Sequence, residues 1–91
     1  MKLTKEAMNT IKEHVNRFYE AKRECALAEK GTMTWEIYST DTSCEYRTVC
    51  TLCALFEIND QLIFTAVENS KSDFLGTMSV ADFIKLFGVR K

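Results

Sequence analysis

From Thr4 to Lys30 the apolar positions are Ala7, Met8, Ile11, Val15, Phe18, Ala21, Cys25 and Ala28. They recur every three or four residues, the spacing that lines one face of an α-helix. The other face carries Glu6, Lys12, Glu13, Arg17, Glu20 and Glu24, with Glu13 and Arg17 in the favourable i,i+4 order. Gly31 follows where a left-handed helix stop belongs. At about 1.5 Å per residue such a helix would run roughly 40 Å. That exceeds what a small sheet needs, so one end is expected to project or bend.

The pattern then changes. In "TMTWEIYST", Met33, Trp35 and Ile37 alternate with Thr34, Glu36 and Tyr38, the period of a strand with one wetter face. "RTVCTLCALFEI" and "QLIFTAVE" are apolar, β-branched runs on either side of Asn59-Asp60, which reads as a two-residue hairpin loop. Counting from that loop puts Val49, Cys53, Leu55, Leu62 and Phe64 on one face. Cys50, Leu52, Phe56, Ile58, Ile63 and Val67 fall on the other, so both faces are apolar and each must be covered. "NSKSDFLGTM" reads as a loop with a short edge strand at Asp73–Thr77. Ser79 can cap a last helix, with Asp82 at the capping-box position and Met78 stapled onto Phe83. Val80, Phe83, Ile84 and Phe87 follow at helical spacing, and Gly88 closes the element. The order α-β-β-β-(β)-α predicts a single α+β domain over residues 1–91. It comprises a long N-terminal helix, an antiparallel meander of three to four strands and a short C-terminal helix.

Composition narrows this little. Apolar residues make up 46% and charged residues 27% of the 91-residue chain, ordinary globular values. No proline and only three glycines argue against a flexible linker. The start, "MKLTKEAMNTIKEH", has no apolar leader segment, and no run approaches the roughly 18 apolar residues of a membrane span. A cytoplasmic protein with reduced thiols is therefore expected.

The four cysteines raise the question of chemistry. A zinc site would need Cys50 and Cys53, helped by Cys44 and by Cys25 or His14. Cys-x2-Cys binds zinc when a tight turn brings both sulfurs onto one ion. In a strand, residues three apart point to opposite faces, and "TVCTLCALF" has no glycine, proline or asparagine to make the turn. The thiols read as small hydrophobes, and no metal or cofactor is expected. His14, the one histidine, borders the apolar stripe of the first helix between Ile11 and Phe18. No phosphate loop, paired-carboxylate motif or nucleophile elbow accompanies it, so no enzymatic activity is expected.

The element order resembles that of double-stranded RNA-binding domains, in order alone. Those domains hold phosphates with a lysine cluster at the start of the second helix, where this chain reads "SVADFIKLF". Trp35, Tyr38 and Tyr46 could stack bases, yet Arg47 is the sole cation between Gly31 and Lys71. Nucleic acid is thus the weaker alternative, a small metal- or thiol-dependent module the third reading. The leading expectation is a non-enzymatic protein-binding module. Its contacts would be the aromatics and acids of the sheet side: Trp35, Glu36, Tyr38, Asp41, Glu45 and Tyr46. The incompletely covered second sheet face adds a homodimer to the expected partners. Such a compact domain fits, by association, the style of phage or mobile-element inhibitors of host machinery, anti-CRISPR proteins included.

Overall fold

Residues 2–69 and 78–89 are described by a computed structural model. They form α1 (Lys5–Leu27), α2 (Met33–Leu55), α3 (Asp60–Asn69) and α4 (Val80–Phe87). Among the described residues the only β pairing is one isolated antiparallel bridge, Ile58 to Gly88. The α+β expectation, with its meander of three to four strands, is therefore corrected to an all-helical fold. The edge strand at Asp73–Thr77 lies outside the described residues.

The first helix is the one the periodicity describes. Thr4 caps it, its hydroxyl accepting from the Ala7 N–H at 3.1 Å. Its end comes earlier than Lys30, at Leu27, with Ala28 as the C-cap. Gly31, at φ +92°, serves the reversing turn instead of the helix stop. Thr32 then starts α2. Its oxygen accepts from the Trp35 N–H at 3.2 Å while its hydroxyl donates to the Glu29 carbonyl at 2.6 Å.

The stretch read as two strands is one 23-residue helix, equal in length to α1. Threonine favours strands because its branched Cβ crowds a helical turn. Here the hydroxyls are absorbed within the helix. Thr42, Thr48 and Thr51 each donate to the carbonyl four residues back, on Tyr38, Cys44 and Arg47, at 2.7 to 2.9 Å. Cys53 is buried in this segment, and Trp35, Tyr38, Thr42, Glu45, Val49, Leu52 and Phe56 are partly or fully buried along one line of it. Their spacing alternates three and four, the seam of two helices packed side by side. Thr42 and Glu45 interrupt the apolar character of that seam, which hid its period. Tertiary packing decides the matter, because the apolar stripe of α1 needs a partner of matching length.

α2 ends without a glycine. Glu57 takes the left-handed conformation at φ +56°. The Ile58 N–H donates to the Cys53 carbonyl at 2.8 Å and the Glu57 N–H to that of Ala54 at 3.4 Å, the two bonds of a Schellman stop. Asn59, read as a hairpin-loop residue, is a helix cap. Its side-chain oxygen accepts from the N–H groups of Gln61 and Leu62 at the start of α3. The bridge then binds this corner to the end of α4, with Asn59 N–H to Phe87 carbonyl at 2.6 Å and Val89 N–H to Glu57 carbonyl at 2.8 Å.

The core sits at one end of the α1–α2 pair. It gathers Leu3, Met8, Ile11, Val15 and Phe18 with Val49 and Cys53, closed by Ile58, Ile63, Phe64, Phe83 and Phe87. Ser79 caps α4 as expected, accepting from the Asp82 N–H at 3.2 Å. Lys12, a buried lysine, donates to the Met78 carbonyl at 2.9 Å and so ties α1 to the start of α4. Among the described residues nothing between Lys22 and Thr48 is fully buried. The distal halves of α1 and α2 project as an arm, and the long dimension of the molecule reaches 43 Å. Leu55 and Leu62, assigned to a covered sheet face, are about half exposed. The two-sided apolar sheet that motivated a homodimer does not exist.

Candidate functional site

Helical periodicity redistributes the six residues expected at the contact surface. Trp35, Tyr38 and Glu45 turn inward toward α1 and are partly buried. Glu36 and Asp41 lie on the outer face of α2, exposed. Tyr46 stands between, its ring stacked on Phe64 at 5.3 Å and 16°. No common surface carries all six.

The inner seam contains one polar pair. His14 Nδ1 lies 2.6 Å from Glu45 Oε2, both side chains about one-fifth exposed. A carboxylate can only accept, so the ring nitrogen donates. Sequence could not place Glu45 beside His14, since the two are 31 residues apart. Neither side chain bonds to a further group among the described residues, so no nucleophile is oriented by the pair. Farther along the arm the Cys25 thiol lies 3.8 Å from the Trp35 carbonyl.

Beside the pair, rings from three helices meet. Phe18 contacts Tyr19, Tyr46 and Phe64 at centroid distances of 5.0 to 5.7 Å. The Tyr19 hydroxyl donates toward the Phe64 carbonyl and the Glu68 carboxylate, each at 3.3 Å. Burial, and then the Glu68 charge, push that phenol up to about 12. Lys22 Nζ sits 5.9 Å from both the Phe18 and Tyr19 ring centres, within cation–π range. Between these rings and α2 lies a recess of 430 Å³.

The thiols are not arranged as the strand reading had them. On a helix, residues three apart share a face, so the argument from opposite strand faces lapses for Cys50 and Cys53. All four cysteines are free thiols. Burial pushes the Cys53 thiol up to about 12, with Asp60 and Cys50 adding to the effect. Burial first, and the neighbouring Asp60 carboxylate second, also raise Cys50. Neutral thiols are poor metal ligands and poor nucleophiles. Among the described residues no group of three His, Cys, Asp or Glu side chains could hold a metal ion.

What sequence reasoning missed is the outer face of the arm. Met33, Glu36, Ile37, Thr40 and Asp41 line one shallow depression on α2. Met33 and Leu27 are each 77% exposed and Ile37 is 53% exposed. The signal was in the sequence, as Met33 and Ile37 are four apart between polar residues, but period two assigned them to a strand with Trp35. Among the described residues no helix is long and apolar enough to cross a membrane. The chain matches no family model, no curated protein and no solved structure.

Proposed function

We propose that this protein is a non-enzymatic protein-binding module that docks through the outer face of its helical arm. The observation that carries the reading is the exposure of Leu27, Met33 and Ile37 at the far end from the core. Large apolar side chains left exposed on a projecting element contribute little to the fold there and gain by being covered. Glu36 and Asp41 flank Met33 and Ile37, and Arg47 is the one cation from Gly31 to Asn69 against six acids. The occupant is a protein surface with an apolar centre and a basic rim. The same charges oppose pairing this face with its own copy, since that sets acids against acids. A cytoplasmic setting fits the four free thiols. The narrower idea of an anti-defence inhibitor adds a target that no side chain here specifies.

The nucleic-acid alternative loses its basis, because the α-β-β-β-α order does not describe this chain. The test is capture of partners from a lysate by the full chain and by Met33→Asp and Ile37→Asp variants, with and without nuclease. Both substitutions lie on exposed helix positions and should leave the circular dichroism unchanged. A nuclease-resistant partner lost with either variant supports the reading. Capture that survives both changes, or that nuclease abolishes, overturns it.

A further inference from the structure

The recess beside the ring cluster shares no lining residue with the Met33–Ile37 face. It is lined by Phe18 from α1 and by Thr42, Ser43, Tyr46, Arg47 and Cys50 from α2. The five α2 residues fall on one face because their spacing follows the helical repeat. Its volume of 430 Å³ lies within the range of clefts that take small molecules.

Each wall has a defined chemistry. Phe18 is only 9% exposed, so its ring forms the floor. Tyr46 rests against Phe64 yet stays 41% exposed, leaving aromatic surface open. The Thr42 hydroxyl proton is committed to the Tyr38 carbonyl. Cys50 is a neutral thiol at neutral pH, held so by burial and then by the Asp60 carboxylate beside it, so the thiol itself adds no charge and no nucleophile. Two groups remain uncommitted: the Ser43 hydroxyl and the Arg47 guanidinium, which make no hydrogen bond or ion pair with any described residue. A guanidinium is a planar fork that fits a carboxylate with two parallel hydrogen bonds. Aromatic floors prefer a ring in offset or edge contact. Arg47 is the one cation in the lining, too few for a polyphosphate, and ring walls give an aliphatic acid little to contact.

We propose that this recess is a binding site for a small aromatic carboxylate, its ring against Phe18 and Tyr46 and its carboxylate on Arg47 and Ser43. The site opens at the junction of α1 and α2, next to the Phe64 ring of α3. A bound ligand therefore bridges the two long helices where the core ends and the arm begins.

The probe is phenylacetate, titrated into the full chain at neutral pH and followed by two-dimensional amide NMR. Phenylacetamide and acetate serve as the uncharged and the ringless controls. Saturable shifts confined to Phe18 and residues 42–50 are expected with phenylacetate. The amide should bind about tenfold more weakly, the worth of one charge-assisted hydrogen bond. Acetate should give no saturable shift. Arg47→Gln should weaken phenylacetate by a similar factor and the amide by less, closing the gap between the two ligands, with Arg47→Lys recovering part of the loss. The comparison of ligands needs no variant, so a misfolded mutant would not obscure it. Absence of saturation, equal affinity for acid and amide, or shifts centred elsewhere would overturn the assignment.

Discussion

His14 on α1 and Glu45 on α2 meet at 2.6 Å across the seam of the helical pair, Glu45 one turn along α2 from the buried Val49. The bond fixes how far one helix is slid along the other, because a shift of one turn would separate the two groups by about 5 Å. Glu45→Ala should therefore destabilise the fold by about 1–2 kcal/mol, a modest figure because both groups remain partly solvated. Glu45→Gln keeps an acceptor and should cost less. Urea unfolding of the three proteins is the measurement. If Glu45→Ala unfolds at the parent's midpoint, the pair does not hold the register.

A second expectation concerns the continuity of α2. Thr48 lies inside that helix, its hydroxyl bonded to the Cys44 carbonyl at 2.9 Å. Thr48→Pro removes a backbone donor and clashes with the preceding turn, at a cost of about 3 kcal/mol or more. The parent's far-ultraviolet circular dichroism should be dominated by helix. A sheet-like spectrum would contradict the fold directly.

The short C-terminal helix is an anchor. Phe83 is fully buried and packs edge-on against Phe87 at 5.0 Å. Phe83→Ala should cost roughly 3–5 kcal/mol, enough to unfold a small domain. Ser79→Ala should cost about 1 kcal/mol through the lost cap. A Phe83→Ala protein that melts like its parent would mean that α4 is not docked on the core.

The thiols predict a pH dependence. Cys53, 1% exposed, is held neutral by burial up to about 12, against an ordinary value of 9.0. Between those values the unfolded chain has released its proton and the folded chain has not. Stability is thus complete below about pH 9 and falls as pH rises toward 12. Tyr19, raised from 10.0 to about 12, acts in the same direction over the upper part of the window. Cys53→Ala should lose about 1 kcal/mol of packing at neutral pH and show a shallower alkaline decline. At neutral pH exposed Cys44 should be labelled by a thiol reagent while Cys53 reacts only on unfolding. Rapid labelling of Cys53 in the folded protein would be the contrary result.

Local signals were legible wherever a residue acts on its own neighbours. The apolar stripe from Ala7 to Ala28 announced α1. Ser79, Asp82, Phe83 and Phe87 announced α4 and its cap, because capping and amphipathic spacing operate within one or two turns. Asn59 was equally local evidence of a helix start, but the apolar runs on either side made it read as a hairpin loop. Between Thr32 and Phe56 local preference pointed the wrong way. Threonines, valine and alternating apolar residues favour a strand until the α1 stripe is allowed to compete for the same side chains. The seam Trp35, Tyr38, Thr42, Glu45, Val49 is apolar only in part, since Glu45 belongs there for the sake of His14 on another helix. Only tertiary structure could decide this, because a polar residue's fitness for the interior depends on a partner brought close by folding. The same reason governs the candidate sites. Length determined that the chain would have a modest core, and the order of charges that Arg47 would be the one cation from Gly31 to Asn69. That Leu27, Met33 and Ile37 remain outside the core was settled when two equal helices packed along their length while that core filled only one end.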